Sequence, residues 1–284
     1  MTNRLSLFVV AWMVLVFAFL YAPIFSVVVY SFNDSKLVTV WGGFTLDRWY
    51  IALWNDRQIV DAAKLSLLIA AISSTLATII GTVAGYVLVR FPKFLGRMAF
   101  SGMVNAPLVM PEVITGLSML LLFISMRGLI GWPQGNGMTT VIIAHVTFTL
   151  SYVAVVMRSR FLTLDLSLEE AAQDLGAKPL KVFFVITLPI VAPAIVSGWL
   201  LGFTISLDDL VITAFTNGPG TTTLPQVVFS KVRLGLDPKI NALATIIIAV
   251  VSVGVIIATI NMRRSEKLRQ RDEQMAIRAV AAKS

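Results

Sequence analysis

The chain has 284 residues, 57% of them hydrophobic and 13% charged, with a mean hydropathy of +0.85. A soluble domain is about 45–50% apolar and about 25% charged, so a soluble enzyme, a disordered segment and a collagen-like fibre are excluded and a multi-spanning membrane protein remains. The 23 Lys and Arg against 15 Asp and Glu leave a net charge of +8, which in a membrane protein has to be sorted by loop before it is read as affinity for an anionic partner. There are no cysteines and one histidine, His145, so disulfides and thiolate or His-cluster metal sites have no residues to build them, and a histidine-based triad is not expected.

Six apolar stretches follow in order: Leu5–Ser31, Leu65–Val89, Met98–Ile124, Thr139–Met157, Val182–Leu207 and Ala242–Ile260. The shortest hold 19 residues, and a spanning helix needs about 20 at 1.5 Å each. Membrane β-strands alternate in segments of about 10 residues, so these continuous runs predict an all-α protein with six transmembrane helices. The first run, 27 residues long, exceeds the ~7–15 of a signal-peptide core and is read as an uncleaved helix kinked near Pro23. The start of the chain and segments 90–97, 158–181 and 261–284 carry 1, 3, 4 and 7 Lys or Arg, 15 in all, against 8 in the alternate segments. Excess Lys and Arg marks cytoplasmic loops. Both termini are therefore expected in the cytoplasm, and the positive charge reports topology rather than nucleic-acid binding. The expected organisation is a first helix and outer loop (1–64), a core (65–261) and a basic cytoplasmic tail (262–284). Gly81-x-x-x-Gly85 and Gly198-x-x-x-Gly202 have the spacing that lets membrane helices touch; internal packing and a subunit seam both fit.

In the first outer loop Trp41, Trp49, Tyr50 and Trp54 crowd into 14 residues with Asp47 and Asp56. Tryptophan faces attract ammonium groups, which makes Trp49 a candidate for a substrate path or for contact with a binding protein; an interfacial aromatic belt fits the same residues. In the third stretch Glu112 follows Pro107 and Pro111. A charge at mid-bilayer costs roughly 2.5–3.5 kcal/mol on insertion scales and normally faces a cavity. His145, in the fourth stretch among threonines, reads as a hydrogen-bonded packing residue.

The loop 158–181 is more structured than a linker needs to be. Ser167 and Glu170 have the spacing of a capping box, and Glu169, Glu170 and Asp174 suit the positive end of a helix. Gly176 fits a left-handed stop and Pro179 the start of the next helix. The spacing predicts a helix of about two turns between two spans. Here the run Glu170-Ala171-Ala172-x-x-x-Gly176-x9-Ile186-x-Leu188-Pro189 resembles the EAA loop of ABC importer permeases. The resemblance implies the type I importer permease fold. It also implies a coupling helix seated in an ATPase subunit, with Glu170 and the turn at Gly176 in contact, Ala171 and Ala172 keeping the helix slim, and Leu188 and Pro189 completing the motif. No G-x-x-x-x-G-K-[ST] occurs, so the chain is expected to be no enzyme and to bind no cofactor or metal. ATP and Mg are expected on the partner ATPase.

Asp208 and Asp209 follow Ser206 at the end of the fifth stretch. No Lys or Arg lies in these spans to neutralise the acids, and a cationic substrate is the simplest partner. Along continuous helices Glu112 lies 14 residues past Met98, about 21 Å. Asp208 lies 19 residues past Pro189, about 28 Å. The three acids then share one depth in the outer half of the bilayer. Neighbouring helical residues point about 100° apart, which favours Asp208 over Asp209 for the path; Ser206 adds a hydroxyl. A solvated helix end for the Asp pair and a packed or protonated Glu112 are the competing readings. The run from Ser206 through Gly218-Pro219-Gly220 to Thr223-Leu224-Pro225 resembles polyamine-type permeases, in particular the smaller permease subunits of enterobacterial putrescine importers. It implies putrescine transport across the bacterial inner membrane, a second homologous permease, an ATPase dimer and a periplasmic binding protein. A permease for another cation or small solute, and a stand-alone secondary carrier, are the alternatives; the carrier would have no use for a docking helix.

Overall fold

The computed structural model describes residues 7–254, except Thr39 and Leu236, together with Ile256 and Ile260. The basic tail 262–284, the residues before Leu7 and part of the far end of the sixth apolar stretch lie outside the described residues. The chain divides into two units, Met1–Asp56 with Lys231–Ser284, and Arg57–Ser230.

The first unit opens with α1 (Leu7–Tyr30), continuously apolar with Pro23 inside it, and continues through a loop to α2 (Arg48–Trp54). The loop folds around Asn33, whose side chain takes the Gly42 N–H at 2.8 Å and donates to the Val40 carbonyl at 2.7 Å. From the far end of the sequence the same unit holds a 17-residue apolar helix, α12 (Pro238–Gly254). Lys231 and Lys239 close on Asp56 at 3.2 and 2.6 Å.

The second unit contains α3 (Arg57–Arg90), α4 (Arg97–Val109), α5 (Glu112–Ile130) and α6 (Met138–Leu162). It continues with α7 (Ser167–Asp174), then α8 (Pro179–Val182) running through a π-helical turn, Phe183–Thr187, into α9 (Leu188–Asp208). α10 (Val211–Thr216) and most of α11 (Leu224–Leu234) follow. Among the described residues five helical runs are long and apolar enough to cross a membrane: α1, α3, α5, α6 and α8 through α9.

Two boundaries differ from the sequence expectation. α3 starts eight residues before Leu65, because Arg57–Lys64, though interrupted by Arg57, Gln58, Asp61 and Lys64, is free of Gly and Pro and continues the helix; apolarity marks the lipid-length part of a helix and not its end. The third stretch is two helices. Pro111 has no N–H to donate and disfavours helical backbone in the residue before it, and Met110 is extended, at φ −78° and ψ 136°. The span-length helix is therefore α5, and Glu112 stands in its first turn. The depth inferred along one continuous helix from Met98 does not apply.

α3 packs lengthwise on α6, and α9 packs on both. The α3–α6 contact depends on glycine: a Cβ on Gly81 would lie 3.0 Å from the Leu150 carbonyl oxygen, and one on Gly85 would lie 3.0 Å from the Arg158 backbone nitrogen. Beyond this seam Val153, Met157, Phe161 and Val191 form a closed apolar cluster with Tyr86 against it. Overpacking a closed core costs about 1–3 kcal/mol. Gly85→Leu is expected to lower the melting temperature of the detergent-solubilised protein by several degrees, whereas Gly128→Ala, with open space around its Cβ, leaves it unmoved. An unshifted Gly85→Leu protein would show that the two helices have room between them.

Candidate functional site

α9 ends at Asp208, and the chain turns through Asp209, whose backbone is extended at φ −67° and ψ 125°. That is the conformation of a helix N-cap, and the carboxylate acts as one for α10. Oδ1 accepts the Ile212 N–H at 3.2 Å, and Oδ2 accepts the Thr213 N–H and the Thr213 hydroxyl, both at 2.7 Å. His145 brings Nε2 to 3.2 Å from the same oxygen. Its Nε2 is also 2.9 Å from Thr213 Oγ1, and its Nδ1 is 2.7 Å from Ser206 Oγ. One tautomer, assigned from this network, satisfies every group. Thr213 commits its proton to Asp209, so Nε2–H donates toward Thr213 and Asp209, and Nδ1 accepts from Ser206. The histidine thus ties α6, α9 and α10 together with side chains only 2% and 5% exposed at His145 and Asp209.

Asp208, one residue earlier, is exposed. With Glu112, Thr204, Phe148, Tyr152 and Val211 it borders a cleft of about 310 Å³. Glu112 enters from the first turn of α5, where a carboxylate suits the positive helix end. One turn on, Gly116 lets α10 approach: a Cβ there would meet Phe215 Cδ2 at 2.7 Å. Neither the Glu112 nor the Asp208 carboxylate has a hydrogen-bond or ion-pair partner among the described residues. The structure therefore brings Glu112 and Asp208 to one cleft and gives the two adjacent aspartates different surroundings. Asp209 borders the cleft, but its carboxylate is held inward. Ser206 is buried and directs its hydroxyl to His145. Trp49 belongs to the first unit, buried, with its indole N–H on the Asn33 carbonyl and the Arg48 guanidinium 4.9 Å from its ring centroid.

The loop 158–181 forms the expected short helix, α7, with a different start. Leu166 is already helical, at φ −68° and ψ −26°, so Ser167 lacks the extended backbone a cap needs and the Ser167–Glu170 box does not form. Asp165 takes the Ser167 N–H at 2.9 Å instead, and the Ser167 amide and hydroxyl hold its carboxyl below the usual carboxylate range. The end is a Schellman turn. Gly176, at φ 83°, donates to the Gln173 carbonyl at 2.8 Å and Ala177 donates to the Ala172 carbonyl at 3.1 Å. Glu170, Ala171 and Gly176 are exposed and Ala172 is half-buried. Leu188 N–H reaches back to the Phe183 carbonyl, closing the π turn. Pro189 follows with no N–H to continue a regular ladder, which accounts for the turn at this point.

Sequence reasoning missed the residue that fastens this helix. Glu169 is buried, 2.9 Å from Arg90 at the end of α3 and 2.9 Å from the Thr187 hydroxyl in the π turn. Its spacing could not separate it from Glu170. Arg90, a cation closing a long apolar helix, is the one signal in the sequence that points to a partner for it. His145 was legible as hydrogen-bonded, but its partners lie 61 and 68 residues away.

This bundle, with a short exposed helix between two span-length helices, has the fold of ABC importer permeases. The structure aligns with that of a bacterial ABC transporter involved in the import of the acidic polysaccharide alginate, at TM-score 0.69 and 16% identity over 91% of this chain and 94% of that one. It also aligns with the inward-facing MetNI methionine ABC transporter, at TM-score 0.57 and 18% identity over 78% and 99%. Residues 77–270 match the family model described as the binding-protein-dependent transport system inner membrane component. The chain belongs to this family of ABC importer permeases. Among curated proteins it is 59% identical to the putrescine transport system permease protein PotI of Escherichia coli strain K12, over 92% of this chain and 93% of that one. It is 37% identical to the spermidine/putrescine transport system permease protein PotC of the same strain, over 90% and 94%.

The two aspartates are expected to behave differently when altered. His145→Ala leaves the buried Ser206 hydroxyl without its partner and takes the imidazole N–H away from Asp209, which keeps its bonds to Ile212 and Thr213, and should destabilise the protein by ~1–3 kcal/mol, seen as a lower melting temperature in detergent. Asp208→Asn should leave that temperature unchanged. Equal shifts for the two variants would contradict the division between a framing and a cleft-facing carboxylate.

Proposed function

We propose that this chain is the permease subunit of an ATP-driven importer that carries polyamines, putrescine first among them, across the bacterial inner membrane. The observation that carries the reading is the cleft bordered by Glu112 and Asp208, two carboxylates without a cation of their own. It stands in a chain 59% identical to a putrescine permease. A diamine brings two ammonium groups and an apolar spacer, which suits two acids set among Phe148, Tyr152 and Val211.

In this reading the chain crosses the membrane six times with both termini in the cytoplasm; the loop charges support that orientation. It pairs with a second, homologous permease and contacts a periplasmic binding protein outside. Two ATPase copies, which supply ATP and Mg, sit on the cytoplasmic face. The loaded binding protein delivers the dication to the outer face, ATP binding draws the ATPases together, and α7 passes that motion to the spans. The exposed face of α7, with Glu170, Ala171 and the Gly176 turn, meets the ATPase. Leu188 and Pro189 set the π turn through which the loop joins α9. Asp209 and Ser206 act on the path through His145, by holding the α9–α10 turn that presents Asp208, and Trp49 serves the outer loop.

Labelled putrescine uptake by the complete transporter in proteoliposomes tests the path. Glu112→Gln and Asp208→Asn are each expected to lower uptake at limiting putrescine about tenfold, the factor that goes with ~1.4 kcal/mol of lost interaction. Wild-type rates in both variants would remove the cleft from the path, and uptake by this chain with no ATPase present would overturn the importer reading.

A further inference from the structure

We propose that the buried Arg90–Glu169–Thr187 cluster is the mechanical link between the coupling helix and α9, the helix that runs to the cleft, with Glu169 as a positioning residue for transport. The inference rests on the coupling role given to α7 above. Glu169 is the one buried residue of α7. The leucines around the helix do not fasten it: Leu166 and Leu168 are each 48% exposed and Leu175 is 90% exposed. A short helix held by apolar packing could slide on its seat, because dispersion contacts are non-directional. One held by a charge-assisted hydrogen bond and a hydroxyl is fixed in direction.

The two partners of Glu169 sit at the end of α3 and in the turn that leads into α9. Arg90 is the last residue of α3, where a cation suits the negative helix end. Its side chain is 11% exposed and that of Glu169 is 8% exposed, so neither charge has water to replace the other. Thr187 is fully covered and lies in the π turn that opens directly into α9. α9 is 21 residues long and ends at Asp208 in the cleft. A push on α7 therefore reaches the cleft through one carboxylate and one continuous helix. The π turn, which regular α-helical hydrogen bonding does not lock, supplies the place where α9 can change its register.

The experiment uses the assembled transporter in proteoliposomes, with the putrescine carried per ATP hydrolysed and the melting temperature read side by side. Glu169→Gln and Arg90→Gln, each leaving one buried charge, are expected to reduce the transport-to-hydrolysis ratio roughly tenfold and to lower the melting temperature. The double variant Arg90→Gln/Glu169→Gln removes both charges. It should regain the melting temperature while its ratio stays low. Thr187→Val, which deletes a single hydrogen bond, should reduce the ratio in a protein of near-normal stability. A ratio that never falls, or that recovers in the double variant together with stability, overturns the link and leaves a purely structural ion pair. The reading beneath it has its own control: Glu170→Lys with Gly176→Pro should stop hydrolysis from responding to loaded binding protein. If that pair is silent, coupling through α7 itself is wrong.

Discussion

A carboxylate in an apolar bundle has to find a partner, and this constraint organises the molecule. Water is scarce inside the packed helices, and an ionised group left there without compensation is strongly disfavoured. The chain answers the constraint in two ways. Asp209 and Glu169 are satisfied from within, by His145 and Thr213 in one case and by Arg90 and Thr187 in the other. Glu112 and Asp208 border a cleft without such partners. The first pair builds the frame, and the second leaves negative charge at the border of a cleft.

The frame and the cleft are joined by short covalent distances. Asp208 and Asp209 are neighbours, yet the break in helix geometry between α9 and α10 sends one outward and pins the other. Fixing Asp209 fixes the end of α9 and with it Asp208. Glu169 and Glu170 repeat the device at the other end of α9: one faces the body, and the other stays exposed on α7. Each pair places a buried, hydrogen-bonded carboxylate beside an exposed one, so the position of the exposed acid is set by the hydrogen bonds of the buried one.

Much of this was legible in the sequence where the cause is local. Pro179 and Gly176 set the ends of the loop helices through their own backbone preferences, and the structure has both where the spacing put them. The loop announced its family through residues spaced along one short run of sequence, from Glu170 to Pro189. Other features depended on distant chain. Which of two adjacent acids is buried is decided by where a helix docks, and the partners of Glu169 come from α3 and the π turn. Apolarity hid one local signal as well. Met110 and Pro111 lie in a continuous hydrophobic run, so the run read as one span although the proline breaks it. For the same reason the partners of His145, on helices far along the chain, could not be named from its threonine-rich surroundings.

The division between satisfied and unsatisfied carboxylates can be measured directly. The assembled transporter would be treated with a membrane-permeant carbodiimide, with and without putrescine and its binding protein, and the labelled carboxyls identified by mass spectrometry. The account predicts labelling at Glu112 and Asp208 that falls when putrescine is being transported, with Asp209 and Glu169 unlabelled in both conditions. Labelling of Asp209 as readily as Asp208, or labelling of the cleft acids that is indifferent to putrescine, would contradict it.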